Sequence, residues 1–193
     1  MRYPTDHKQQ TRQRILRAAS RRIRSRGTEG AAIADLMRAL RLTHGGFYRH
    51  FGSKESLVVE AFEAALKEWG DREVAAIEKA PAGGEMQALI DAYLDPRHCE
   101  DIAGGCPVAA LASEIARRPK GSRGRFLQAL RAHIRRIEPY VPGRTVEERR
   151  QKTIALLTGM AGTLTIARAF TDEQDRRTML DGAKKFYHAA VKA

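Results

Sequence analysis

Apolar residues recur along this chain every three or four positions, the repeat of a helix with one buried face, and no stretch alternates like a half-buried strand. Ile15, Ala18, Ala19 and Ile23 form such a stripe among Arg14, Arg17, Arg21, Arg22 and Arg24, which predicts an amphipathic first helix ending near Gly27. Ile33, Leu36, Met37 and Leu40 predict a short second helix. After a break at Arg41 and Leu42, Thr43 is suited to cap a third short helix reaching about Phe51. Phe47 and Phe51, one turn apart, share its core face. Ser53 reads as the cap of a fourth helix, with Leu57, Val58, Ala61, Phe62, Ala65, Leu66 and Trp69 on the inner side.

Punctuation divides the remainder. Pro81, Gly83 and Gly84 end the fourth helix, and a fifth runs to about Tyr93 before Asp95-Pro96. Gly104-Gly105-Cys106-Pro107 opens a sixth, with Pro107 at its first position, and Pro119 closes it. A seventh spans about Ser122 to Glu138. Thr145 and Glu148 have the spacing of a capping box for an eighth helix reaching about Phe170, and Thr171 with Gln174 repeats the signal for a ninth. No repeat of solenoid length interrupts this order. The expected architecture is all-α, with about nine helices.

A chain of 193 residues can bury a real core. No run approaches the roughly 20 apolar residues needed to cross a bilayer, and the polar opening MRYPTDHKQQ has no apolar leader segment. Cys99 and Cys106 are the two cysteines, too few for a disulfide framework and consistent with a reducing cytoplasm. Charge adds more. The net charge is +12, yet residues 1–54 hold 13 Lys/Arg against 3 Asp/Glu, so the excess sits in the first quarter. A basic segment on a near-neutral body is the footprint of nucleic-acid binding; a solvated basic tail or a membrane-surface helix is the alternative on charge alone.

The second and third helices, short and joined by a few residues, have the layout of a helix-turn-helix, whose second helix enters the DNA major groove. The stretch from Thr43 to Glu55, THGGFYRHFGSKE, resembles the recognition signature of the TetR/AcrR family of transcriptional regulators, and the resemblance covers about residues 11–66. It implies a helix-turn-helix DNA-binding domain over 1–54, a helical regulatory and dimerisation domain over 55–193, and DNA contacts by Thr43, His44, Gly45, Tyr48, His50 and Lys54. The residue types suit that task. Gly45 and Gly46 let the backbone approach the groove, Thr43, Tyr48 and His50 offer groups for phosphates or base edges, and Lys54 adds charge at a helix N-terminus. Arg49 can reach a phosphate or stand solvated. Two features depart from the family pattern: Ala31 and Ala32 stand where a Ser or Thr usually opens the second helix, and Arg41 stands where the turn usually has Gly.

The resemblance also implies a homodimer reading a palindromic operator, usually as a repressor, and released by a small-molecule effector. Ala155, Gly159, Ala161 and Gly162 of the eighth helix, with Met179, Ala183 and Phe186 of the ninth, are candidates for the dimer interface; packing within the monomer is the alternative. Trp69, Tyr93, Leu111, Phe126 and Met160 are candidates to line the effector pocket, with plain core as the alternative. Cys106 lies at a predicted helix N-terminus, where the helix field would lower a thiol pKa and make oxidation or alkylation a possible inducing signal; a buried, inert cysteine is the other reading. His98 and the two cysteines match no zinc spacing, so neither a metal nor a cofactor is expected. No phosphate loop, G-x-S-x-G elbow or H-E-x-x-H motif supports an enzyme. The expected location is the cytoplasm, without a membrane partner.

Overall fold

The computed structural model describes residues 5–191, which contain helices and turns but no strand. Residues 1–4, part of the polar start from which no leader is expected, and residues 192–193 lie outside the described residues. Helix α1 (Thr5–Arg26) turns its stripe inward: Ile15, Ala19 and Ile23 are fully buried. Arg14, Arg17 and Arg21 face outward as an amphipathic helix requires, whereas Arg24 is buried. A 3₁₀ turn (Thr28–Ala31) leads to α2 (Ile33–Ala39), whose N-terminus at Ala32 has no side-chain cap.

The end of α2 fixes the entry to the next segment. The Leu42 N–H donates to the Met37 carbonyl at 2.9 Å and the Arg41 N–H donates to the Arg38 carbonyl at 3.0 Å, with Arg41 at φ 57°. These bonds form a Schellman closure, whose left-handed residue is usually Gly. The expected third helix is instead a 3₁₀ segment (His44–Arg49). Thr43 does cap it, accepting from the Gly46 N–H at 3.2 Å. Two successive glycines raise the entropic cost of winding, and the segment is too short to offset the cost of nucleating an α-helix.

Helix α3 (Lys54–Glu78) begins with a reciprocal cap: Ser53 Oγ accepts from the Ser56 N–H and Ser56 Oγ accepts from the Ser53 N–H, each at 3.0 Å. Then follow α4 (Glu85–Tyr93), α5 (Pro96–Glu100), α6 (Pro107–Ile115), α7 (Lys120–Ile137), α8 (Val146–Ala167) and α9 (Glu173–Ala190). Asp95-Pro96, expected as a stop, in fact starts α5, because the Asp95 carboxylate accepts from the Arg97 N–H at 2.8 Å and Pro fits the first turn. At α8, Thr145 Oγ1 accepts from the Glu148 N–H at 3.0 Å, while the Glu148 carboxylate reaches one residue further back, to the Arg144 N–H. This helix stops at Ala167, short of Phe170. Asp172, not Thr171, caps α9, accepting from the Asp175 N–H at 2.9 Å. A carboxylate is the stronger acceptor for that terminus and suits the helix dipole.

Two apolar cores organise these helices. The first gathers Ile15, Ile23, Leu36, Phe47 and Phe51 of the head with Leu57 and Phe62 of α3, and is closed by Leu111 of α6 and Phe126 of α7. The second gathers Trp69 and Ile77 of α3 with Leu89 and Tyr93 of α4, Cys106, and Met160 and Leu164 of α8. Helix α3 runs through both. Among the described residues no helix is long and apolar enough to cross a membrane.

The positive φ of Arg41 gives a stability test. Its side chain is exposed, and left-handed backbone strains a residue with a Cβ by about 1 kcal/mol. Arg41→Gly is expected to raise the melting temperature by roughly 2–4 °C, as read by calorimetry. A lower melting temperature would show that contacts of Arg41 outweigh the strain.

Candidate nucleic-acid interface

The 3₁₀ segment sits over a rigid apolar base. Phe47 and Phe51 stack with ring centroids 5.5 Å apart and are buried, so the intervening side chains point away from the core. Tyr48 is 58% exposed, its ring edge-on to Phe47 at 5.2 Å and to His44 at 6.0 Å. Thr43, His44 and Gly45 are exposed beside it, and a Cβ on Gly45 would meet nothing within 4 Å. The backbone there is open to close approach by a partner. His50, half-buried, has an imidazole pKa held below its usual value, first by burial and then by the charges of Lys8, Arg12 and Arg49. Those three cations mark a local positive field at the edge of the segment.

Lys54 opens α3 and donates to Glu29 at 2.7 Å. A surface pair of this kind is weak, and a phosphate can take the place of its carboxylate. Sequence reasoning did not single out Lys8 and Arg12. Arg12 lies 4.7 Å from the centre of the Phe51 ring and pairs with Glu60 of α3. Its position on the face of α1 next to α3 was the available signal, lost among the many arginines of that helix.

The body divides the remaining candidates. Trp69, Tyr93 and Met160 share one core with Cys106, whereas Leu111 and Phe126 belong to the other, where Phe126 meets Phe62 edge-on at 4.7 Å. Of the α8 and α9 positions, Ala155 and Gly162 are exposed and Phe186 is 68% exposed. Met179 and Ala183 pack against the chain's own core, as does Ala161, which is buried in it. Gly159 is closed by α9, since a Cβ there would stand 2.4 Å from Tyr187 Oη.

The expected low pKa of Cys106 is corrected. The thiol is buried, and desolvation followed by the charge of Glu73 pushes it up to about 11. Hydrogen bonds from the Tyr93 hydroxyl and the first N–H groups of α6 act in the opposite direction but are outweighed. Nearby, His98 Nε2 accepts from the Cys106 N–H at 2.9 Å and Nδ1 lies 2.5 Å from the Tyr93 carbonyl. The ring is therefore a neutral tautomer with its proton on Nδ1, and burial lowers its pKa to about 4. His98 is a strut between α4 and α6. Among the described residues, no three His, Cys, Asp or Glu side chains form a group that could hold a metal ion.

A capped segment displayed on a three-helix apolar base, with cations around it, has the layout of a helix-turn-helix head carried on an all-helical body. Residues 15–61 match the family model for bacterial regulatory proteins of the tetR family. An uncharacterized HTH-type transcriptional regulator of Mycobacterium tuberculosis is 34% identical over 105 residues, 53% of this chain and 52% of that protein. The alignment thus spans about half the length of that curated relative. The crystal structure of a TetR transcriptional regulator from Chloroflexus aurantiacus superposes with a TM-score of 0.75 at 24% identity, over 97% of each chain. A FadR transcriptional regulator from Bacillus subtilis in complex with stearoyl-CoA gives 0.66 at 14% identity, over 91% of this chain and 96% of that one. Residues 15–61 are thus similar to the DNA-binding segment of tetR-family regulatory proteins, and nearly the whole chain has the fold of the solved TetR regulators. These matched proteins are transcriptional regulators rather than enzymes.

The thiol chemistry can be checked directly. With a pKa near 11, Cys106 holds roughly a hundredth of the thiolate of an ordinary cysteine at neutral pH. Iodoacetamide on the folded protein, read by mass spectrometry of the Cys106 peptide, is expected to label at least about 100-fold more slowly than on the unfolded chain. Equal rates would mean an exposed, activated thiol.

Proposed function

We propose that this protein is a ligand-responsive transcriptional repressor that binds a palindromic operator as a homodimer in the cytoplasm and is released by a small molecule. The observation that carries the reading is the exposed surface of Thr43, His44, Gly45 and Tyr48 over buried Phe47, flanked by Lys54 and the cations around His50. In this reading Tyr48, His44 and Thr43 enter the groove. Lys54 and the α3 N-terminus hold a phosphate.

Two recognition segments need a two-fold partner. The outward Ala155, Gly162 and Phe186, with exposed Ile154 and Ile166 on the same pair of helices, supply an apolar surface suited to a second copy. Release requires that the effector favour one spacing of the two heads over another. Helix α3 is one rod for that motion, and Arg24 is a second link. Its guanidinium, on α1, donates to the carbonyls of Gly104 and Gly105 at 3.1 and 3.0 Å, immediately before Cys106. The stearoyl-CoA held by the Bacillus subtilis neighbour supports a body able to take a small molecule. With its raised pKa, Cys106 serves this reading better as part of a pocket wall than as a thiolate sensor.

Selection of random duplex DNA on the purified protein, followed by titration at two salt concentrations, tests this reading. The expected result is a palindrome with half-sites about one helical turn apart. Tyr48→Phe should weaken binding about fivefold, and Lys54→Ala should weaken all sequences alike while lowering the salt slope by about one. No enriched sequence, or unchanged affinity in both variants, would overturn the docking.

A further inference from the structure

The centre of the body contains polar groups that the chain itself leaves unsatisfied. Glu73 of α3 is 3% exposed, and neither carboxylate oxygen has a hydrogen-bond partner among the described residues. His133 of α7 brings Nε2 within 3.1 Å of Glu73 Oε2 as its one ion-pair neighbour among the described residues, and its Nδ1 is unpartnered. Trp69 Nε1, also buried, is unpartnered as well, while the Tyr93 hydroxyl faces the Cys106 thiol. Arg24, Arg72 and Arg168 lie near this layer and donate to the carbonyls of residues 98–105, Arg168 with its Nη1 left unpartnered. Buried polar groups are nearly always satisfied, and each one left bare costs about 1–3 kcal/mol. Several such groups in one place form a patch that a hydrogen-bonding ligand would satisfy.

A crevice leads to them. It opens between α7 and α8 past Ile134, Ile154 and Leu157, and its inner wall is Tyr93, Cys106 and His133. It holds about 20 Å³, room for one water. Across α7, a larger outer cleft of about 450 Å³ lies against α3 between Leu66 and Arg136. His133 lines both spaces, so its imidazole is the partition between them and stands in front of Glu73.

We propose that this crevice is the effector site and takes a small apolar primary amine, whose ammonium pairs with Glu73 in place of His133. The inference rests on the reading of the protein as a ligand-released regulator. The chemistry follows from the surroundings. A buried carboxylate favours a cation with several N–H donors and rejects an anion. Burial keeps the Tyr93 hydroxyl and the Cys106 thiol neutral, so neither competes as an anion, and both can accept from the ammonium. The aliphatic walls of α7 and α8 cover the ligand's apolar part. Because the closed space admits only a water, an amine must part α7 from α8 and turn His133 toward the outer cleft. The same wall connects to the head: Tyr93 and Cys106 are bridged by His98, and Arg24 of α1 grips the two carbonyls just before Cys106.

Trp69 is the chain's one tryptophan and lies one turn before Glu73, so its emission reports on this site. The experiment titrates the full chain with benzylamine, benzyl alcohol and benzoate, and follows both Trp69 emission and release of the selected operator. Benzylamine is expected to give a saturable change, with the alcohol and the acid at least about tenfold weaker. Glu73→Gln should weaken benzylamine by about tenfold or more, Glu73→Asp should retain it, and His133→Ala should bind as tightly or more tightly. Equal response to all three probes, no response to the amine, or an unchanged Glu73→Gln overturns the site. Loss of binding in His133→Ala overturns the displacement. Circular dichroism melting shows whether each variant folds, and if Glu73→Gln does not, the comparison of probes on the native chain decides alone. Amine binding without operator release would uphold the amine site and overturn its role as effector site.

Discussion

Helix α3 places Leu57, Phe62 and Leu66 in the core of the head and Trp69 and Ile77 in the core of the body, on one continuous rod of 25 residues. Neither core can shift far without moving the other through it. The rod starts at Ser53, two residues past Phe51, so the reciprocal Ser53–Ser56 cap also fixes where the recognition segment ends. The segment's own geometry is set locally by the Thr43 cap and the Phe47–Phe51 stack. Its position in space is set by α3.

The second joint between head and body is made by arginine. Arg24 of α1 and Arg72 of α3 both donate to the Gly104 carbonyl, while Arg168, the C-cap of α8, donates to the carbonyls of His98 and Cys99. Three helices thereby hold one loop. A buried guanidinium stays charged even when desolvation lowers its pKa, so each is held by carbonyl acceptors. The loop can supply them because Gly105 has no side chain: a Cβ there would stand 2.7 Å from the Asp101 carbonyl and 2.8 Å from Arg168 Nη2. That close approach makes the loop a rigid connector rather than a slack turn.

Much of this was legible in the sequence, because it depends on local rules. The apolar period located most helices, Thr43, Ser53 and Thr145 announced their caps, and THGGFYRHFGSKE pointed to the family. What escaped depends on competition or on distance. The 3₁₀ form of His44–Arg49 reflects two glycines prevailing over a good cap. Asp172 displaced Thr171 as a cap because two acceptors stood side by side. The rise in the Cys106 pKa required knowing that Glu73, far away in sequence, lies close by and that water is excluded. Arg24 reads as one more surface arginine on a basic helix, and only the fold brings residues 104 and 105 against it. The two apolar cores, which divide Leu111 and Phe126 from Trp69, Tyr93 and Met160, are likewise a property of tertiary packing.

The two cores differ in a way that bears on how a signal could act. The head core is apolar and closed by aromatic pairs, Phe47 with Phe51 and Phe62 with Phe126, which favours a single rigid arrangement. The body core carries Glu73, His133 and Trp69 with unpartnered polar atoms, each a local loss of stability. Units with such losses open at lower free energy than their neighbours. A disturbance in the body is then taken up by α7 and α8, while the head keeps its internal geometry and is carried as one piece by α3 and Arg24. A reader of DNA needs that division of labour, since half-site spacing can change without altering the surface that reads each half-site.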